Sequence, residues 1–287
     1  MNSKVQPMTV TELKRMKRKS QRITMLTAYD RPSARLAELG GVDVILVGDS
    51  LGMAVLGHRD TLPVTVDDMI SHAAAVVRTV TRPLVVVDMP FMSFQVSIED
   101  TLRNAGRMMK ETGAASVKLE GGDEVCPQVR ALSRAGIPVM GHIGLTPQAV
   151  HQLGGFRVQG RGLGAAKKLL IDAQLLEDAG AFSLVLECIP RELAAMITES
   201  VSIPTIGIGA GPDCDGQVLV FHDLVGLFDE FTPRFARRYA EVGEIIEEAI
   251  RSYCRDVREA GFPGPQETYT MDAEQVEKLR ALEDAEE

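Results

Sequence analysis

Seven residues whose side chains can do chemistry stand at the ends of short apolar runs. Asp49 and Ser50 follow ILVG, Asp88 closes LVVVD, Lys118 and Glu120 close SVKLE, His142 follows VMG, and Glu187 closes SLVLE. A carboxylate at the end of a buried strand is costly unless it is paired or metal-bound. Asp49, Asp88, Glu120 and Glu187 would repel one another if they converged, and a divalent cation would resolve the conflict. Oxygen ligands without a His or Cys cluster favour Mg²⁺ over Zn²⁺. Mg²⁺ takes one or two carboxylates and fills its shell with substrate and water. Any one of these acids alone also reads as a strand-end cap or a surface ion pair; several at once weaken that reading.

Lys118 and Glu120 are two residues apart on a strand and so share a face. The ammonium could hold a substrate carboxylate or keto oxygen, form a Schiff base, or pair with a neighbouring acid. His142 could donate to a substrate oxygen or be a satisfied structural group. Two glycine-rich stretches flank this set. Gly207-Ile208-Gly209-Ala210-Gly211 reads as a phosphate loop or a close backbone approach. Residues 154–162, like 51–65, read as a lid.

These residues must be positioned by the runs they end. Eight short apolar, non-alternating runs occur at 23–28, 42–47, 84–87, 116–119, 139–141, 182–186, 205–208 and 218–221. Each reads as a strand buried on both faces. Helix-length amphipathic segments lie between them at 31–39, 67–78, 98–112, 125–135, 164–179 and 192–199, and a pair of helices is expected over 232–260. Glycines past several helix ends, such as Gly113 and Gly180, are the usual C-terminal caps. The pattern predicts an α/β fold, a (β/α)8 TIM barrel, whose active site lies at the C-terminal ends of the strands. An open doubly wound sheet would carry G-x-G-x-x-G after the first strand, where this chain reads Thr27-Ala28-Tyr29-Asp30. One domain over 1–262, with an N-terminal helix and C-terminal helices, and an extended acidic tail over 263–287 are expected.

The 287 residues carry a net charge of −9, which argues against nucleic-acid binding. The basic run Lys14–Arg22 reads as the solvated face of a first helix capped at Thr9. No apolar run approaches the ~20 residues of a membrane span, and no secretory signal is visible, so a cytoplasmic address is expected. The cysteines Cys126, Cys188, Cys214 and Cys254 are widely spaced and read as reduced thiols.

The motifs GDSLGMAVLGHRDTLPVT (48–65), VVDMPFMSF (86–94), VKLEGG (117–122), GHIGLTPQ (141–148), GGFRVQGR (154–161), LVLECIP (184–190) and IPTIGIGAGPDCDGQVLV (203–220) together resemble the ketopantoate hydroxymethyltransferase family. The resemblance runs from about residue 8 to 262. It implies a barrel related to the phosphoenolpyruvate and pyruvate enzymes. It also implies a Mg²⁺-dependent, aldol-type transfer from 5,10-methylene-tetrahydrofolate, a co-substrate, to 3-methyl-2-oxobutanoate. The products would be 2-dehydropantoate (ketopantoate) and tetrahydrofolate, the first committed step of pantothenate synthesis. By position, Asp49, Asp88 and Glu120 match the acidic groups at one Mg²⁺ per subunit, some through water. Asp49, Ser50, Asp88 and Lys118 match the keto-acid contacts, and Glu187 matches the proposed general base. The family forms homo-oligomers, commonly decamers, and takes small-molecule substrates. The tail departs from the family's FP-x-x-EHS pattern, reading Phe262-Pro263-Gly264-Pro265-Gln266-Glu267-Thr268. A lyase or mutase of the same barrel superfamily, a Schiff-base aldolase and a non-catalytic keto-acid-binding barrel are the competing readings.

Overall fold

The computed structural model describes residues 6–227 and 233–283. The first half runs α1 (Val10–Arg18), β1 (Ile23–Thr27), α2 (Arg31–Leu39), β2 (Val44–Val47), α3 (Leu51–Ala54), α4 (Val66–Val77), β3 (Leu84–Asp88), α5 (Ile98–Thr112) and β4 (Ser116–Glu120). The chain continues with α6 (Cys126–Arg134), β5 (Val139–Gly144), α7 (Val150–Leu153), α8 (Leu163–Ala179), β6 (Ser183–Glu187), α9 (Arg191–Ser200), β7 (Thr205–Ile208), β8 (Gly216–Leu219) and α10 (Phe221–Val225). The eight strands are parallel and close into a barrel, β1 pairing with both β2 and β8. The expected (β/α)8 class is the observed one, and α2 and α5 have the bounds that the apolar spacing predicts.

Helix starts follow local chemistry. Thr9 accepts from the Glu12 amide at α1, and Asp30–Ser33 and Thr65–Asp68 form reciprocal capping boxes at α2 and α4. Lys14, Arg15 and Arg18 of the basic run are exposed on α1, which buries Leu13 and Met16, and the rest of the run to Arg22 follows the helix end. Lys17, on the same helix, pairs with Asp215 at 2.9 Å.

Side-chain parity divides the core into two sets. Val44, Leu46, Leu84, Val86, Met140 and Val185 pack with Leu13 and Met16 of α1 in one cluster. Their neighbours Ile45, Val47, Val85, Val87, Leu184 and Leu186 pack with the surrounding helices in the other. The first set fills the barrel. Because strand residues alternate, Asp88 continues the row of Leu84 and Val86, His142 that of Met140, and Glu187 that of Val185. Register then sets neighbours: Asp88 pairs with Lys118, Glu120 with His142, and Gly144 with Glu187. The inward rows therefore start apolar and end polar at the same rim.

Several expectations need correction. The run at 218–221 is a strand only to Leu219, because Phe221 begins α10. Over 232–260 there is one helix, α11 (Val242–Arg258), not two; Thr232 lies outside the described residues. The tail is not extended over its described part. It carries a short 3-10 turn at Pro265–Glu267 and α12 (Ala273–Glu283), while residues 284–287 lie outside the described residues. AEQVEKLRALE is built of strong helix formers, and Lys278 pairs with Glu274 one turn away at 2.6 Å. The short α3, α7 and α10 escaped notice because one turn shows no periodicity.

By contacts the chain divides into two compact units, 1–239 and 240–287. The first is the barrel. The second holds α11 and α12, where the Tyr253 and Phe262 rings meet edge to face at 5.6 Å. No helix among the described residues is long and apolar enough to cross a membrane.

Gly144 shows how closely the rim is packed. Its φ is +100°, and a Cβ there would lie 2.2 Å from the Glu187 carbonyl oxygen. Gly144→Ala is expected to cost about 1–3 kcal/mol, through strain and the displaced β6 end. Urea unfolding measures this, and an unchanged midpoint would contradict the close approach.

Candidate active site

The polar ends of the inward rows meet in a cavity of about 450 Å³ at the C-terminal rim. Asp49, Ser50, Asp88, Lys118, Glu120, His142 and Glu187 all line it, so every residue singled out from the sequence arrives at one place. A groove of about 520 Å³ on the outer surface, lined by Ile98, Cys126, Arg130, Arg134 and Leu175 among others, gathers no comparable set.

Lys118 is the hub. Its Nζ lies 3.2 Å from Asp88 Oδ1, 3.9 Å from Glu120 Oε1 and 3.1 Å from His142 Nδ1. Asp49, Asp88, Lys118, Glu120 and His142 are each at most 8 % exposed. Burial would lower the lysine's pKa, but Asp88, Glu120 and Asp49 outweigh it and raise the value, so the side chain stays an ammonium. A Schiff base needs a free amine, and this environment opposes one.

The acids differ. Burial, reinforced by Asp88 and Glu120, raises Asp49 well above the usual carboxylate range. Burial also raises Asp88, against the pull of Lys118. Glu120 goes the other way. Burial is opposed by His142, Lys118 and the Gln148 amide, and its pKa is lowered. Both Glu120 oxygens are engaged: Oε1 lies 3.3 Å from His142 Nδ1, and Oε2 accepts from the Gln148 amide at 3.0 Å.

This arrangement bears on the expected three-acid metal cluster. Among the described residues no group of three or more His, Cys, Asp or Glu side chains is placed to hold an ion. Both Glu120 oxygens face protein groups, His142 and the Gln148 amide, whereas Asp49 accepts at Oδ2 from Gln148 and Asp88 at Oδ2 from the Asp49 amide. Asp88 Oδ1 makes no hydrogen bond despite its nearness to Lys118. Counted as ionised, the carboxylates of Asp49, Asp88, Glu120 and Glu187 outnumber the cations Lys118 and His142 by two charges, a deficit that one divalent cation matches. Two carboxylates with open oxygens fit the sparse protein shell that Mg²⁺ accepts.

His142 connects Glu120 to Glu187. Its Nε2 lies 3.1 Å from Glu187 Oε2, although the angle is outside the hydrogen-bonding range. Burial and Lys118 lower the imidazole's pKa, but Glu120 and Glu187 overcome them and push it up to about 9. Nδ1 either donates to Glu120 as imidazolium or accepts from Lys118 as imidazole. In both states Nε2 carries a proton, close to Glu187 Oε2 but not aligned with it. Glu187, its side chain 15 % exposed, is the most open of the four acids.

Two contributors were not legible in the sequence. Gln148 donates from Nε2 to Asp49 Oδ2 and to the Met89 carbonyl, both at 2.9 Å, while its backbone amide holds Glu120. Tyr29, fully buried, shares a 2.8 Å hydrogen bond with Ser50 Oγ. Gln148 lies inside the GHIGLTPQ motif, but a lone amide after a turn carries no chemical signal of its own.

The model of the ketopantoate hydroxymethyltransferase family matches residues 7–265. The chain belongs to this family. It is 57% identical over 271 residues to the 3-methyl-2-oxobutanoate hydroxymethyltransferase of Carboxydothermus hydrogenoformans, spanning 94% of this chain and 98% of that protein. Against the enzyme of the same name from Moorella thermoacetica the identity is 56%, over 91% and 97% of the two chains. Among solved structures it resembles phosphonopyruvate hydrolase, solved with oxalate and Mg²⁺, with a TM-score of 0.60 at 15% identity over 96% and 99% of the chains. It also resembles 2,3-dimethylmalate lyase of the PEP mutase/isocitrate lyase superfamily, with a TM-score of 0.58 at 19% identity over 96% and 95%. These two likenesses concern the fold alone.

In metal-free protein, Lys118→Met is expected to cost about 3–5 kcal/mol at pH 8, because it strands buried carboxylates. The loss should shrink at pH 5. Asp49 and Asp88 hold protons to higher pH in the fold than in the unfolded chain, so acid favours the folded state. Urea titrations at the two pH values measure this; an equal loss at both would contradict the charge balance.

Proposed function

We propose that the chain transfers a hydroxymethyl group from 5,10-methylene-tetrahydrofolate to 3-methyl-2-oxobutanoate, giving ketopantoate and tetrahydrofolate in the first committed step of pantothenate synthesis. The observation that carries the reading is what one cavity gathers. The Lys118 ammonium lies among the buried acids, and a more accessible carboxylate, Glu187, lines the same cavity beyond the His142 ring.

The substrate's carboxylate and keto oxygen need cationic partners, and Lys118 supplies one. Asp49 and Asp88 would hold Mg²⁺, and Glu120 would reach it through water. When bound, the ion adds a Lewis acid that stabilises negative charge on the keto oxygen. Ser50, oriented by Tyr29, donates to a substrate oxygen. Glu187 removes the C3 proton, and the His142 Nε2–H steadies the carboxylate that does so. The C3 carbanion equivalent takes up the donor's one-carbon unit, and one water supplies the hydroxyl oxygen. The C3–H bond and both bonds from the methylene carbon to N5 and N10 break, a C3–CH₂OH bond forms, and the donor leaves as tetrahydrofolate with N5 and N10 each protonated, one proton coming from C3 and one from the water.

The reading includes small-molecule partners only, a cytoplasmic address and a homo-oligomer, decameric as in the family. The exposed Ile246, Ile250, Tyr253 and Val257 of α11, spaced at three and four residues, would suit contacts between copies.

Glu187→Gln is expected to slow exchange of the C3 proton in D₂O by about 10²–10⁴-fold, with keto-acid binding kept within a few-fold. Proton NMR with 3-methyl-2-oxobutanoate and Mg²⁺ follows the exchange; retained exchange removes Glu187 as the base. Gln148→Leu should weaken Mn²⁺ binding, read by electron paramagnetic resonance, by about 10–100-fold, because Asp49 loses the group that aims it. Asp88→Asn should weaken it further. Unchanged Mn²⁺ affinity in both would count against the Asp49–Asp88 pair as the ion's seat.

A further inference from the structure

The cavity has two kinds of wall. Its floor is the charged set described above. Its collar is apolar and aromatic, and the proposed reaction gives that collar no task yet. The floor is closed by the barrel, so a second substrate that delivers carbon to the keto acid must enter from the collar side.

The collar is formed by two segments of the chain. Phe156 and Arg157 come from the segment after β5, and Asp223, Arg234 and Phe235 from the chain after β8; all five line the cavity. Phe156 is 57 % exposed, an unusual position for a large aromatic side chain. The Phe235 ring lies against Gly209, where a Cβ would come within 2.9 Å of ring Cδ1 and 3.2 Å of Cys188 Sγ. It therefore sits beside the residue that follows the base. Asp223 is only partly exposed, yet among the described residues it makes no hydrogen bond or ion pair. Burial raises its pKa, against the pull of the Arg238 guanidinium. Arg157 and Arg234 are exposed and form no ion pair among the described residues.

Resting on the reading under Proposed function, we propose that this collar binds the one-carbon donor, with Phe156 and Phe235 against its flat pterin, Asp223 accepting from the pterin's 2-amino and N3–H edge, and Arg157 and Arg234 receiving the glutamate carboxylates. The parts match in chemistry. A planar heterocycle gains from aromatic faces. An amidine edge offers two parallel N–H donors, which a carboxylate accepts in fork geometry. The anionic tail meets the two arginines at the solvent side. Phe235 beside Cys188 puts the heterocycle next to Glu187, where the transferable carbon has to be.

The test separates donor from keto acid. Phe235→Ala and Asp223→Asn are expected to raise the KM for 5,10-methylene-tetrahydrofolate about tenfold or more. Both should weaken tetrahydrofolate binding, measured by calorimetry at saturating 3-methyl-2-oxobutanoate, by the same factor. The KM for the keto acid should move less than about twofold, a split that general loss of structure would not produce. The double substitution Arg157→Ala/Arg234→Ala should erase any preference for triglutamyl over monoglutamyl donor. If Phe235→Ala fails to fold, the isosteric Asp223→Asn decides. A donor KM unchanged in Asp223→Asn and in folded Phe235→Ala overturns the proposal. Absence of C3 exchange in the wild-type protein overturns the reaction reading instead, and is measured without any donor.

Discussion

The structure depends on one electrostatic imbalance. Asp49, Asp88 and Glu120 are driven out of water at the rim of a closed barrel, with Lys118 and His142 among them. Such a cluster carries a standing penalty unless charge is supplied. The raised pKa values of Asp49 and Asp88 are that penalty made visible, and the ammonium state of Lys118 is its counterpart. A site tuned this way is poised to take up a divalent cation together with an anionic, chelating substrate.

Around this core the supporting contacts sort the acids into different tasks. Gln148 satisfies one Asp49 oxygen and one Glu120 oxygen from a single residue, so the two acids are held at a set separation. His142 and the Gln148 amide approach the two Glu120 oxygens and hold that side chain in place. The Asp49 amide donates to Asp88 Oδ2 at 3.0 Å, tying the second strand's end to the third. Glu187 stands apart, the most open of the acids, with His142 Nε2 3.1 Å from its Oε2. One chemical type, the carboxylate, thus plays three parts according to what touches it.

The barrel was legible because its code is local and repeated. Runs such as LVVVD and SVKLE announce doubly buried strands, and the glycines and capping residues mark where helices end and begin. Where that code weakens, so does the reading. The segment after Leu219 turns helical at Phe221, and α12 forms in a stretch whose acidity reads as a tail although its residues favour a helix. The single-turn helices α3 and α7 sit in the loops at the rim, where tertiary contacts rather than periodicity set the backbone.

From the sequence alone came the eight-stranded barrel, the rim at which the chemistry sits and the identity of the seven polar residues there. Strand parity and strand ends are properties of short windows, and each window carries them in full. Which acids are free and which are spent was decided only when the chain closed. The contacts of Gln148 with Asp49 and of His142 with Glu187 join residues 99 and 45 positions apart in the chain. Hydrogen bonding and desolvation depend on distances of a few ångströms, and no spacing along the sequence encodes those distances.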